Sequence, residues 1–133
     1  MLRLEIVTPE KRVLDAEVES VTVPTATGEA GILPNHASLI SELKAGILTY
    51  SAKGATDKLA VTGGFIEVND NKVAVLADSA ETAEEVNVEA AKAERDAAEK
   101  ELSAHAAAPV EETEAIRQRI EAANAKLQLA AGK

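Results

Sequence analysis

Hydrophobic residues recur along this chain with two different periods, and the change of period divides it. Through residues 1–78 the period is two. Leu4, Ile6 and Val18 sit in alternating stretches, and Glu19-Ser20-Val21-Thr22-Val23 continues the pattern. Successive side chains of a strand point to opposite faces, so this alternation predicts strands with one buried face. Ile47–Tyr50, Leu59–Thr62, Phe65–Val68 and Val73–Leu76 follow as short apolar runs. Turn-forming residues separate them: Thr8-Pro9, Pro24 to Gly28, Lys44-Ala45-Gly46, Lys53-Gly54, Gly63-Gly64 and Asn69-Asp70-Asn71. Asn and Asp tolerate left-handed backbone angles, so the last of these predicts a tight hairpin. Many short strands at this spacing predict an antiparallel β-sandwich or flattened barrel.

From residue 81 to 131 alanine becomes abundant and Glu, Lys and Arg fill the remainder, a strongly helical composition. Thr82-x-x-Glu85 matches a capping box, and Asn87 is a second candidate cap. Helix one is expected near 87–105 and helix two near 111–130, ending at Gly132. Pro109 cannot sit comfortably inside a helix, which places the break at Ala106–Pro109. Ile116, Ile120, Ala123, Leu127 and Ala130 form one apolar stripe on helix two; Val88, Ala91, Ala98 and Leu102 form a weaker one on helix one. Two short-linked helices with facing stripes predict an antiparallel hairpin. The expected organisation is therefore a β-sandwich over 1–80 and a helix-loop-helix over 81–133. Large apolar side chains are few in the hairpin, each contributing roughly 1.5–3 kcal/mol when buried. Ordering a residue's backbone costs about 1–2 kcal/mol. The hairpin should then be marginal alone and loosely held, suited to a switch, although a permanently docked cap fits the same pattern.

Composition narrows the function. The 133 residues are 46% apolar with only Tyr50 and Phe65 aromatic, so aliphatic side chains must fill the core. A net charge of −9 repels phosphate backbones and anionic lipid heads, which argues against nucleic-acid and membrane-surface binding. The absence of cysteine excludes disulfides, thiolate metal sites and thiol catalysis. No window approaches the roughly 20 apolar residues needed to span a bilayer, and the N-terminus lacks a signal-peptide core. No phosphate loop, dinucleotide fingerprint, zinc-protease motif or serine-hydrolase elbow occurs. No catalytic residue, metal or cofactor is expected. His36 has no nucleophile or partner base near it in sequence and reads as a turn or interface residue. His105 stands at a helix end, where a cation complements the dipole.

One segment stands apart: Gly28-Glu29-Ala30-Gly31-Ile32-Leu33-Pro34-Asn35-His36-Ala37-Ser38-Leu39. Its glycines and proline mark a shaped turn or sheet edge. By itself, Glu29 need only keep that turn soluble. Together with Gly63-Gly64-Phe65-Ile66-Glu67-Val68 and Asn71-Lys72-Val73-Ala74-Val75-Leu76-Ala77-Asp78, the segment resembles the epsilon subunit of F-type ATP synthases. The likeness is strong to Asp78 and looser in the helical tail. It implies a non-catalytic rotor subunit whose sandwich touches the gamma subunit and the ring of c subunits, with Glu29, Gly31, Ile32, Pro34 and His36 as contact residues. It implies a peripheral place at the cytoplasmic face of a bacterial plasma membrane. It also implies helices that fold against the sandwich or extend toward the catalytic alpha and beta subunits and inhibit hydrolysis. There Arg117, Arg119 and Lys126 would face an acidic segment; alone, they read as helix solvation.

Some bacterial members bind ATP through Ile/Leu-Asp-x-x-Arg-Ala. Here the matching residues are Val86-Asn87-Val88-Glu89-Ala90-Ala91, so Asp is replaced by Asn87 and Arg by Ala90. Without the arginine a phosphate loses its natural partner, and ATP binding is not expected. A reading from another class is a stand-alone oligomeric adaptor or chaperone gripping clients with the hairpin. Its short, alanine-rich stripe offers such clients little surface.

Overall fold

The computed structural model describes residues 1–132. Eight strands come first: β1 (Leu2–Val7), β2 (Arg12–Val18), β3 (Ser20–Thr25), β4 (Gly28–Ile32), β5 (Leu39–Glu42), β6 (Gly46–Ala52), β7 (Ala55–Asn69) and β8 (Lys72–Glu81). Two helices follow, α1 (Val88–Ala104) and α2 (Val110–Ala131). The strands hydrogen-bond in the order β2-β1-β8-β7-β6-β3-β4, with β5 also pairing with β7. All named pairs are antiparallel except β1 with β8, where Arg3 to Val7 run alongside Lys72 to Leu76.

The sandwich turns on a bend in β7. Gly63-Gly64 reads locally as a turn between two strands, but the structure carries one strand straight through it, in unbroken register with β8. Leu59 and Val61 face the core before the glycines, and Ile66 and Val68 face it after them. That odd spacing reverses the phase of the strand. Both glycines have positive φ, 43° and 110°. A Cβ on Gly64 would run into the backbone of Leu76 and Ala77. β8 changes phase beside it, burying Val73, Val75 and Ala77, then Ala80. Beyond the bend β7 pairs with β5, and before it with β6. One corner thus carries the strand pair from one layer to the other.

The two hairpins of β7 are tight. Asp70 and Asn71 adopt φ of 47° and 63°, and Lys53 and Gly54 adopt 53° and 77°, as a two-residue turn with matching twist requires. The core between the layers is aliphatic throughout, with Leu2, Leu4, Ile6, Val18, Val21, Ile32, Leu48 and Ile66 fully buried.

The helices sit against one face of this sandwich. α2 packs on β6 and β7, while α1 packs mainly on α2. Asn87 caps α1 by accepting the Ala90 N–H at 2.9 Å. The Thr82–Glu85 pair does not cap a helix. It closes the preceding turn, with Glu85 Oε1 accepting from the Thr82 N–H at 2.9 Å and the Thr82 hydroxyl at 3.1 Å. The predicted stripes also shift. On α2 the buried residues are Thr113, Ile116, Ala123, Ala125 and Leu129, while Ile120, Leu127 and Ala130 are only partly covered. A helix packed against both a helix and a sheet needs a wider apolar arc than one stripe. Val88 is exposed, because first-turn side chains lean back past the start of their helix.

Candidate functional site

Glu29, Gly31 and Ile32 lie on β4, the end strand of the sheet path. Glu29 pairs across the ladder with Pro24 and points to solvent; Ile32 turns into the core. Gly31 is open, and a Cβ there would meet nothing within 4 Å. Pro34 and His36 belong to the loop that follows. The His36 N–H closes a turn on the Leu33 carbonyl at 3.1 Å, and its Nδ1 lies 2.7 Å from the Ala37 carbonyl, which fixes Nδ1 as the protonated nitrogen. Among the described residues no nucleophilic side chain is hydrogen-bonded to the ring. Leu33 protrudes at 62% exposure. The predicted residues are therefore not gathered at one point: Glu29 stands beside the β3–β4 turn at the start of β4, Pro34 and His36 follow the strand's other end, and Ile32 anchors the segment between them rather than presenting a surface.

A second surface escaped the sequence reading. Phe65 and Leu76 face each other across β7 and β8 and are 57% and 56% exposed. Ile40, on neighbouring β5 opposite Glu67, is 73% exposed. Exposed Glu42 and Glu67 flank them. The only phenylalanine of the chain is thus spent outside the core, in a contiguous apolar patch with an acidic rim. Its signal was present in the alternation: Phe65 and Leu76 fall on the polar phase of strands whose other phase is Ile66, Val68, Val73 and Val75.

The three basic residues of α2 are all engaged within the chain. Arg119 lies 2.9 Å from Glu94 and 2.7 Å from Glu101, both on α1. Those hydrogen bonds, the one to Glu101 foremost, raise its pKa beyond the usual guanidinium value. Lys126 reaches Glu81 at the end of β8, 3.1 Å away. Arg117 bonds Glu114 at 2.9 Å and the Val110 carbonyl at 2.7 Å, bracing the first turns of its own helix. Arg119 thus ties the two helices together and Lys126 ties α2 to the sandwich, while Arg117 is held within its own helix.

Asn87 and Ala90, where the nucleotide motif would carry Asp and Arg, are occupied with each other in the cap. The adjoining cleft between hairpin and sandwich is lined by Glu42, Asp78, Glu81, Glu85, Glu94 and Glu114, against Lys44, Arg119 and Lys126. All three cations are already paired with carboxylates. Among the described residues no cluster of metal-binding side chains occurs and no helix is long and apolar enough to cross a membrane.

A two-layer sandwich with an exposed end loop, an apolar outer patch and a docked helical hairpin defines a subunit built around contact surfaces. The family model for the β-sandwich domain of the ATP synthase delta/epsilon chain matches residues 1–83. The ATP synthase epsilon chain of Desulfitobacterium hafniense is 49% identical over 100 residues, 75% of this chain and 76% of that one. The epsilon chain of Pelotomaculum thermopropionicum is 52% identical over 101 residues, 76% and 75% of the two chains. Among solved structures, a chain of the OSCP/F1/c-ring assembly of Euglena gracilis mitochondrial ATP synthase superposes with a TM-score of 0.73 at 27% identity. It covers 99% of this chain and 81% of that one. The chain belongs to the ATP synthase epsilon-chain family.

Proposed function

We propose that this chain is the non-catalytic central-stalk subunit that joins gamma to the c-ring in an F-type ATP synthase, and that its hairpin regulates ATP hydrolysis. The observation that carries the reading is a shared sequence and fold reaching from the sandwich into the hairpin, with the chain likeness covering 99% of the residues. The exposed residues of the segment from Glu29 through Gly31 and Pro34 to His36 take the c-ring, those of the loop after β4 among them. The patch of Ile40, Phe65 and Leu76 takes gamma, its carboxylate rim favouring a partner with basic residues around an apolar centre. The protein sits at the membrane through these partners, at the cytoplasmic face of a bacterial plasma membrane. The hairpin engages the catalytic alpha and beta subunits when it leaves the sandwich.

Capture of the tagged full-length chain at native levels tests this. Gamma and c subunits should be recovered together. Phe65→Asp should lose gamma while leaving thermal stability within about 0.5 kcal/mol, as exposed positions allow. Recovery of neither subunit with the unmodified chain would overturn the assignment. Undiminished gamma with Phe65→Asp would remove the patch from it.

A further inference from the structure

The end loop is tied to a distant hairpin by side chains that the sandwich itself does not require. Residues 33–38 lie between β4 and β5, outside both strands. The Asn35 N–H donates to Asn71 Oδ1 at 2.6 Å, and Asn71 Nδ2 reaches back to Asn35 Oδ1 at 3.4 Å. The Ser38 hydroxyl donates to Asn69 Oδ1 at 3.3 Å. The Asn71 carbonyl accepts the Arg3 N–H at 2.9 Å, fixing the turn to β1. Asn35 and Asn71 both hold left-handed backbone angles, φ 66° and 63°. In that conformation an asparagine costs less than most side chains. Three hydrogen bonds thus join segments 31 to 36 residues apart.

From this we infer that the c-ring contact is a composite platform of the Leu33–Ser38 loop and the Asn69–Lys72 turn, with Asn71 as its positioning residue. The inference rests on the c-ring reading of the loop. A six-residue loop with protruding Leu33 would otherwise sample many shapes, and a partner would bear the cost of ordering it on binding. Asn71 removes that cost beforehand. It also brings the Asp70 turn beside the loop, so the surface offered to the ring is wider than the sequence segment alone.

Asn71→Gly is the discriminating variant. Glycine keeps the left-handed angle, and Asp-Gly is itself a favoured two-residue turn, so the hairpin survives while the tether is lost. Asn71→Asp keeps an acceptor for the Asn35 N–H and serves as the conservative control. Two quantities are read on the full-length chain: hydrogen exchange of the Asn35–Ser38 amides, and binding of the chain–gamma complex to detergent-solubilised c-ring. With Asn71→Gly, exchange should rise about tenfold and ring affinity should fall about three- to tenfold, with gamma binding and the melting temperature unchanged. Asn71→Asp should restore most of both. Faster exchange with undiminished ring affinity would make the tether merely structural and overturn the proposal, as would unchanged exchange. Leu33→Asp separates the two levels of inference. If it too leaves ring affinity intact, the assignment of this end to the c-ring fails; if it abolishes binding while Asn71→Gly does not, only the positioning role fails.

Discussion

Lys126 Nζ lies 3.1 Å from Glu81 Oε1, joining the last turns of α2 to the final residue of β8. Few contacts fasten the hairpin so directly to the sandwich. The apolar part of that junction is small: Ala60, Ala125 and Leu129, with Ile47, Ala83 and Val86 alongside. Nearby, Glu121 faces Lys44 at 3.5 Å while its other carboxylate oxygen is buried without a hydrogen-bond partner among the described residues. Such an interface holds α2 without locking it. Of the three cations that the family resemblance aims at an acidic partner, only Lys126 is bonded to the sandwich, so under the proposed regulation the docked position and the catalytic head would compete for that one charge.

That competition separates docking from inhibition. Lys126→Ala should weaken docking by less than about 1 kcal/mol, as partly exposed ion pairs do. Exchanging the pair, Lys126→Glu with Glu81→Lys, should restore docking yet leave α2 with the wrong charge for an acidic surface. In assembled complexes, hydrolysis rates should therefore rise with the exchanged pair and rise further with a chain ending at residue 80. Equal rates for full-length and truncated chains would remove inhibition altogether. An exchanged pair that inhibits like the unmodified chain would remove the charge mechanism.

The sandwich should fold without the hairpin. Every buried member of the main aliphatic core lies between Leu2 and Ala80. A chain cut after Ala83 keeps β8 entire and uncovers only Ile47, Ala60 and their neighbours on the outer face. It should give a β-type circular dichroism spectrum and a cooperative melt within several degrees of the full chain. An unfolded or non-cooperative product would show that the hairpin completes the core.

What could be read in advance was local. Asn69-Asp70-Asn71 announces its hairpin because turn chemistry is set by the residues that make it. The helix break at Pro109 and the cap at Asn87 are equally self-contained. Gly63-Gly64 was misread because a bend inside a long strand and a turn between two strands need the same left-handed residues; only the shared register with β8 distinguishes them. Glu85 bonds back to the Thr82 N–H as in a capping box, but the Thr82 hydroxyl donates to that carboxylate instead of accepting the Glu85 N–H, and the turn stops short of the helix. The partners of Arg119 and Lys126 lie 18 to 45 positions away, and no local pattern points to them. Phe65 shows how one face can be read and the other missed: hydrophobic alternation identifies the buried phase and does not ask why the exposed phase is also apolar.

Nucleotide should bind weakly or not at all. The first turn of α1 offers Ala90 where a guanidinium would be needed, and the cleft beside it carries six carboxylates whose neighbouring cations are already paired. A triphosphate entering there would meet uncompensated negative charge. Calorimetric titration with ATP should show no micromolar site. Ala90→Arg with Asn87→Asp should improve binding relative to the unmodified chain, and micromolar affinity in the unmodified chain would refute the reading.

Acid should loosen the joint between sandwich and hairpin through Glu85. Its carboxylate accepts from the Thr82 backbone N–H and hydroxyl, and Lys11 stands 3.6 Å away. The backbone bond first, then the hydroxyl, hold its pKa below the ordinary glutamate value. A carboxyl depressed in the folded state contributes its stabilisation fully above its unfolded pKa, about 4.3, and loses it as pH falls through the lower folded value. The turn at 82–85 should therefore be unaffected between pH 7 and about 5 and open progressively below about 4. Glu85 is largely solvated, so the expected change is a local rise in amide exchange through residues 82–90 rather than a global loss of structure. Glu85→Gln should raise exchange at neutral pH and flatten its dependence on acid. A full-length chain and a Glu85→Gln chain with the same acid profile would place the sensitivity elsewhere, with Asp15 the next group to test, since its hydrogen bond from Arg3 depresses it in the same direction.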